Sequence, residues 1–401
     1  MGVFVFVLNL NVLYLQSTAM TELLLLATMT AGMYELILWQ KSDSFVPLIK
    51  AAFWMMLATL IRYEGWFLLL YSCALIIAVT VKRKGYKTAE GMSLLFVTLA
   101  GFGVFLWFLW NQLIFKDALY FIFGPYSASA QQAQLSQAGV LATKGNILLS
   151  IQIYSYALLY NTGVFTAILG AAGAIALWFD KRISLRVRLM STVLVTPFLY
   201  NVLALYLGQS VLFIQGISGN TWFNVRYGVM MMPSIAVFVG YLVYRLRSFR
   251  YVIAGLFFFV TFFSFVNQDA VTIDDARVGS SQKNVTEVSS WLANHAKDEQ
   301  GFILISAASH DAIIFSSGLP MKRFIHEGTG RYWEEATVYP TLWARWIIMR
   351  TNDINDITFK LVSKTNTLDH YTLAGHFPFA DIYELRPEYL SALETEAVYS
   401  R

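Results

Sequence analysis

The sequence predicts a multi-pass α-helical membrane domain followed by a C-terminal α/β domain, and three observations carry that prediction. Hydrophobic residues make up 57% of the 401 and charged residues only 13%, where a soluble domain carries about 25% charged residues. Long apolar runs recur up to Val266, each broken by a short polar or charged patch. From about Asn267 the composition shifts, and short β-prone runs alternate with helical stretches. Residues 1–268 are therefore assigned to the membrane, with about eight spans plus a partial first one, and residues 269–401 to a soluble domain.

Met1 to Leu15 is apolar but lacks the positive n-region of a signal peptide. A span needs about 20 apolar residues, and Asn9 and Asn11 interrupt this run, so it reads as the end of a helix whose beginning is missing. Met20 to Trp39 follows, with Glu22 near its entrance and Lys41 and Asp43 breaking it. Leu48–Leu60 and Phe67–Val81 flank Ile61-Arg62-Tyr63-Glu64-Gly65-Trp66 and end at Lys82, Arg83, Lys84 and Lys87. Met92 to Trp110 spans next and leads into a long polar segment from Asn111 to Asn146. The chain re-enters from Ile147 to Phe179, meets Lys181, Arg182, Arg186 and Arg188, and spans again over Leu189–Phe213, Tyr227–Tyr244 and Tyr251–Val266, with Arg245, Arg247 and Arg250 before the last. The three basic clusters fall on alternate turns, so the positive-inside rule puts them in the cytoplasm. The outer turns, including Arg62 to Trp66 and Ile214 to Arg226, and the C-terminal domain then lie outside a plasma membrane.

In the C-terminal third, Ser280 to Lys297 reads as a capped amphipathic helix and Ile354 to Val362 as a second helix. Phe302–Ser306, Trp346–Met349, Tyr371–Leu373 and Asp381–Leu385 read as strands. About 130 residues suffice to bury a core of their own.

Charges inside a bilayer cost about 2.5–3.5 kcal/mol each on insertion scales, so Arg62 and Glu64 sit at a boundary or face a wet pocket. The segment reads as a tight turn, with Gly65 letting the backbone bend; a plain interfacial loop with an aromatic belt is the other reading. Glu22 at a helix start suits the helix dipole and is either a cap or a site residue. Asn224-Val225-Arg226-Tyr227 opens a helix with Pro233 further in. Arg226 there runs against the dipole preference, which points either to a bound anion, phosphate above all, or to a pair with Glu64.

The absences are as informative. No Gly-rich phosphate loop, Walker lysine, dinucleotide fingerprint or Asp-x-Asp triplet occurs, so a nucleotide-activated substrate and nucleic acid are not expected. The single Cys73 excludes an intrachain disulfide. Ser309-His310-Asp311 is contiguous, and adjacent residues point apart, so it is no triad. All five histidines lie in the last third, and His326, Glu327, His370 and His376 converge on a metal only by accident of fold. No metal site or cofactor is assigned, and the need for a metal is left open. Asn284-Val285-Thr286 fits the N-glycosylation pattern.

Three motifs carry a family resemblance. Asn9-Leu10-Asn11 through Gln16 to Thr21-Glu22, Arg62-Tyr63-Glu64-Gly65-Trp66, and Asn224-Val225-Arg226-Tyr227 with Pro233 together resemble bacterial GT-C glycosyltransferases, the multi-pass relatives of protein O-mannosyltransferases and of the lipid A aminoarabinose transferase. The resemblance implies a GT-C-like fold and a sugar donor carried on a polyprenyl phosphate. It also implies transfer on the extracytoplasmic face to a glycan, lipid or protein acceptor. The residues carried over for substrate binding are Glu22, Arg62, Glu64, Asn224, Arg226 and Tyr227. In such enzymes the catalytic base is an aspartate in the first outer loop. That loop has no counterpart here and Asp117 is a weak substitute, so the resemblance implies an N-terminally truncated and inactive fragment. A transporter or lipid flippase, and a non-catalytic family member that recruits an outer-surface partner, stand as the rival readings.

Overall fold

A computed structural model describes residues 1–401 except 43, 125–126, 138, 140, 279–284 and 396–401. The chain divides into two compact units, Met1–Asp275 and Ala276–Arg401.

The first unit is helical. Its helices are α1 (Gly2–Val7), α2 (Leu10–Gln16), α3 (Glu22–Ser42), α4 (Phe45–Ile61), α5 (Tyr63–Lys84) and α6 (Tyr86–Phe115), then the short α7 (Tyr120–Phe123) and α8 (Ala128–Gln137). After them come α9 (Ile147–Thr162), α10 (Val164–Phe179), α11 (Leu185–Ser191) and α12 (Thr196–Tyr206). A 3₁₀ turn, Val225–Met231, leads into α13 (Met232–Arg245), and α14 (Phe249–Asn267) and α15 (Val271–Val278) follow.

Among the described residues six helical segments are long and apolar enough to cross a membrane, or seven if the bent pair α9 and α10 is one span. The sequence reading of about eight exceeds this for two physical reasons. Helix α4 has 17 residues, short of the about 20 that a span requires. The run Ile147–Phe179 is not one rod: it breaks at Gly163 through 111°.

Small residues on a helix face let neighbouring backbones approach closely. The buried face of α4 is accordingly rich in alanine, with Ala51, Ala52 and Ala58 beside Leu48 and Met55. It packs against α3, α5 and α6. Outward faces carry Leu70, Phe102, Phe105 and most of α14 in exposed positions. Basic residues gather at the far ends of the helices that open on acidic or polar groups. Helix α5 begins with Glu64 and ends in Lys82, Arg83 and Lys84; α3 begins with Glu22 and ends near Lys41.

The second unit holds a five-stranded sheet in the order β2-β1-β3-β5-β4, built from β1 (Phe302–Ile305), β2 (Phe324–Ile325), β3 (Ala344–Met349), β4 (Tyr371–His376) and β5 (Asp381–Leu385). β1 runs parallel to β2 and β3, and β5 runs antiparallel to β3 and β4. Ile303, Ile305, Trp346 and Ile348 pack on one face and Leu304, Ile347 and Met349 on the other. The α/β reading of this third matches what the chain forms, with four of the strands where the sequence put them. The two-residue β2 is too short to leave a pattern. Helix α16 (Thr286–His295) carries Val288 and Leu292 into the core; residues 280–284, the expected start of that helix and Asn284 with them, lie outside the described residues.

Candidate functional site

The site grows from a one-residue joint. Helix α4 ends at Ile61 and α5 begins at Tyr63, with Arg62 extended between them (φ −156°, ψ 164°). The orphan carbonyls at the end of α4 find partners locally: Arg62 N–H donates to Ala58 O at 3.3 Å and Trp66 Nε1 to Thr59 O at 2.8 Å. Gly65 does not bend the chain, as the sequence suggested, but sits inside the first turn of α5. Its role is close approach, because a Cβ there would stand 2.4 Å from the Ala58 carbonyl oxygen.

Fixing Arg62 this way aims its guanidinium at two carboxylates. Arg62 Nη1 lies 3.3 Å from Glu22 Oε1, and Arg62 Nε lies 3.2 Å from Glu64 Oε1. Glu22 Oε1 also accepts from Arg226 Nε at 2.9 Å, so one carboxylate oxygen joins residues 204 positions apart. Arg226 Nη1 approaches Asp275 Oδ2 at 3.8 Å, an ion pair beyond hydrogen-bond length. The Tyr227 ring lies within cation–π range of both guanidiniums, at 4.9 Å from Arg62 Cζ and 5.3 Å from Arg226 Cζ. Asn224 takes the left-handed conformation (φ 55°) and donates from Nδ2 to Val211 O at 2.9 Å, which starts the 3₁₀ turn bearing Arg226.

Three carboxylates thus face two guanidiniums. Glu22 is 1% exposed, Glu64 4% and Asp275 8%. Acidic groups buried so deeply need partners to offset the lost hydration. Glu22 Oε2 has no hydrogen-bond partner. Glu22 makes no capping bond among the described residues; its oxygen serves the arginines instead. Arg226 pairs with Glu22 and Asp275, and Glu64 belongs to Arg62.

A cavity of about 470 Å³ opens beside this network. Arg62, Glu64, Asn224 and Tyr227 line it, and Glu22 and Arg226 do not. The rest of the wall mixes aromatic rings (Tyr63, Trp66, Trp107, Tyr200) with amides (Gln132, Asn201). Trp107 Nε1 and Gln132 Oε1 are buried there without partners, one donor and one acceptor unused. Such a wall suits a ligand that has apolar faces and hydroxyls at its rim.

All six residues carried over from the resemblance are therefore neighbours in one network. Asp117 is elsewhere in role: it is exposed and its Oδ1 caps Leu119 N–H at 2.9 Å. The sequence reading missed Asp275, Trp107, Gln132, Tyr200 and Asn201. Asp275 alone left a trace, as an acidic pair with Asp274 just beyond the last apolar run.

Three histidines of the second unit hold side-chain bonds. His310 Nε2 meets Asp356 Oδ2 at 2.5 Å with both residues buried, His376 Nδ1 meets Asp381 Oδ1 at 2.5 Å, and His326 Nδ1 accepts from Gly328 N–H. Burial pushes the His326 imidazole below its ordinary range, with Glu327 opposing. Glu327 itself bonds the Ser306 hydroxyl and the Ala307 N–H. Among the described residues no group of three or more His, Cys, Asp or Glu is placed to hold a metal ion.

No known protein family, curated protein or solved structure matches the chain.

Proposed function

We propose that the protein is a membrane glycosyltransferase of GT-C-like design, taking a sugar from a polyprenyl-phosphate donor and passing it to an acceptor on the extracytoplasmic face. The observation that carries this reading is Arg62, a guanidinium at a cavity wall whose direction is set by Glu22 and Glu64. A cation held in place beforehand stabilises charge that develops on a leaving phosphate without reorganising during the reaction. The sequence reading favours Arg226 for that role; Arg226 does not line the cavity and pairs with Glu22 and Asp275 instead, which leaves Arg62 to meet the phosphate. The aromatic and amide wall receives the sugar. Sidedness is supported by the opposition of the helix ends: basic residues end α3, α5 and α13, and such ends favour the cytoplasm. No proton-transfer step is assigned to any residue here.

The test is binding before turnover. The purified chain is titrated in detergent with a polyprenyl-phosphate hexose, and transfer of labelled hexose to membrane acceptors is followed in parallel. Arg62→Ala is expected to weaken donor binding by about 1.5–3 kcal/mol, the worth of a hydrogen bond to a charged group. Equal binding by Arg62→Ala and the unaltered chain overturns the assignment.

One observation favours a transporter or flippase instead: the helix broken at Gly163, since broken helices beside cavities mark transport sites. Movement of labelled lipid across proteoliposomes without glycosyl transfer would select that reading. A normal cellular phenotype with Arg62 and Arg226 both replaced would select a non-catalytic role.

A further inference from the structure

A second cavity, of about 360 Å³, lies at the α9/α10 joint and is walled on one side by α14. Asn161 lines it, and the direction of its amide is fixed. Nδ2 donates at 2.7 Å to the carbonyls of both Ala157 and Val225, which only the NH₂ end can do. Oδ1 is therefore left as an acceptor. The residue is 1% exposed, and that oxygen has no donor.

The other lining groups sort into used and unused. Asn9 and Asn11 are used: each donates from Nδ2 to Asn161 O, at 2.7 and 3.0 Å, and their own carbonyl ends accept from Val12 N–H and from Thr272. Thr166, Thr261 and Ser264, and the exposed carboxylate of Asp269, have no side-chain hydrogen bond among the described residues. The lining contains no Lys, Arg or His. The cavity thus offers an unpartnered amide oxygen, hydroxyls and, where it meets solvent, one carboxylate, with no positive group in its lining. Phe257, Phe259 and Phe263 supply an apolar wall.

A neutral polyol would use the hydroxyls and leave Asp269 to water. An anion would meet like charge. A primary ammonium brings three N–H donors and the missing charge, and an attached alkyl chain suits the phenylalanine wall. We propose that this cavity binds a primary alkylammonium group, with Asn161 Oδ1 accepting an N–H and Asp269 balancing the charge. The inference stands apart from glycosyl transfer. It applies equally to an aminolipid headgroup and to a free amphiphilic amine.

The full chain, purified in a non-ionic detergent, is titrated by calorimetry with n-octylammonium and with n-octyltrimethylammonium. The second keeps the charge and chain but has no N–H to donate. Octylammonium is expected to bind saturably, and the trimethyl ion at least about tenfold more weakly, one charge-assisted hydrogen bond's worth. Asp269→Asn should weaken octylammonium by about the same factor; its side chain is exposed and unbonded, so the fold survives. Ser264→Ala provides a second variant with a smaller loss. Equal binding of the two ions, or equal binding by the unaltered chain and Asp269→Asn, overturns the proposal. Nanodiscs of phosphatidylethanolamine against phosphatidylglycerol then separate the sources. Displacement of octylammonium by the first lipid alone identifies a headgroup site, and displacement by neither identifies a site for free amines.

Discussion

At Arg62 and at Gly163 the chain passes from one helix to the next through a single residue, yet the two joints are held by different chemistry. The first is extended and carries charge: Arg62, Glu64 and Glu22 bind each other across it. The second turns through a positive φ of 76° and is neutral. The Asn161 carbonyl, released where α9 ends, takes the side-chain amides of Asn9 and Asn11. Both solve one problem, since backbone groups freed where a helix stops need partners. A neutral joint only has to be satisfied. A charged joint must also keep its carboxylates and guanidiniums in balance, which makes it the more brittle of the two and the one that meets a cavity with a cation.

The comparison breaks first at Glu22. Glu22→Ala leaves Arg62 with Glu64 alone and Arg226 with Asp275 at 3.8 Å. Removing one partner of a buried ion pair costs about 3–5 kcal/mol, which equilibrium unfolding in mixed detergent micelles would register. A loss below about 1 kcal/mol, the range of exposed pairs, would mean that water reaches the network.

Two glycine variants sharpen the contrast at the next level. Gly65→Ala drives a methyl against the Ala58 carbonyl, and Gly163→Ala meets nothing within 4 Å but forces a side chain onto a positive φ. Each is expected to cost about 1–3 kcal/mol, the first by overpacking and the second by backbone strain. Replacing Ala58 by Gly leaves its carbonyl in place and rescues neither, whereas Gly65→Ser should be worse than Gly65→Ala in the same unfolding assay.

At the neutral joint the amides divide the task. Asn11→Ala strands Thr272 as well as half of the Asn161 carbonyl's bonding, and about 1–3 kcal/mol is expected. Asn9→Ala leaves Asn11 still donating, so a loss of about 1 kcal/mol is expected.

The smallest effect lies in the second unit and serves as a control on pH. Burial opposes the charged form of Asp356, but the His310 hydrogen bond and the N–H groups of Arg350 and Phe359 outweigh it and hold the carboxyl below its ordinary range. A carboxyl lowered by folding stabilises above its unfolded value, about pH 4. That contribution disappears as the pH falls through the lower folded value. Acid titration of near-ultraviolet dichroism should show this step, and Asp356→Asn should remove it.

Much of this was legible in the residues. Runs of apolar side chains located α3, α5, α6, α13 and α14, and alternating β-prone runs located β1, β3, β4 and β5. The Arg62 turn was legible because charge between two apolar runs has few places to go. What stayed hidden depends on distance along the chain. Gly65 reads as a bend until Ala58 is seen against it. Glu22 reads as a cap until Arg226 arrives from 204 positions away. The role of Asn9 and Asn11 required knowing that α9 stops at Thr162, and in the run from Ile147 to Phe179 only Asn161-Thr162-Gly163 marks that stop, beside Gly170 and Gly173 that stop nothing.

Helix α6 has 30 residues, about 45 Å of axis, against a hydrocarbon layer about 30 Å thick. Leaning by about 40°, the limit of ordinary tilts, shortens its projection only to about 34 Å. If α6 crosses a bilayer, part of it stands in the headgroups, and its first turns, with Tyr86, Lys87 and Glu90 exposed, have the chemistry for that position. The apolar stretch of the rod, Met92 to Trp110, is about 28 Å long at 1.5 Å per residue, so a hydrocarbon layer of ordinary thickness would match it without tilt and leave both ends to the interface.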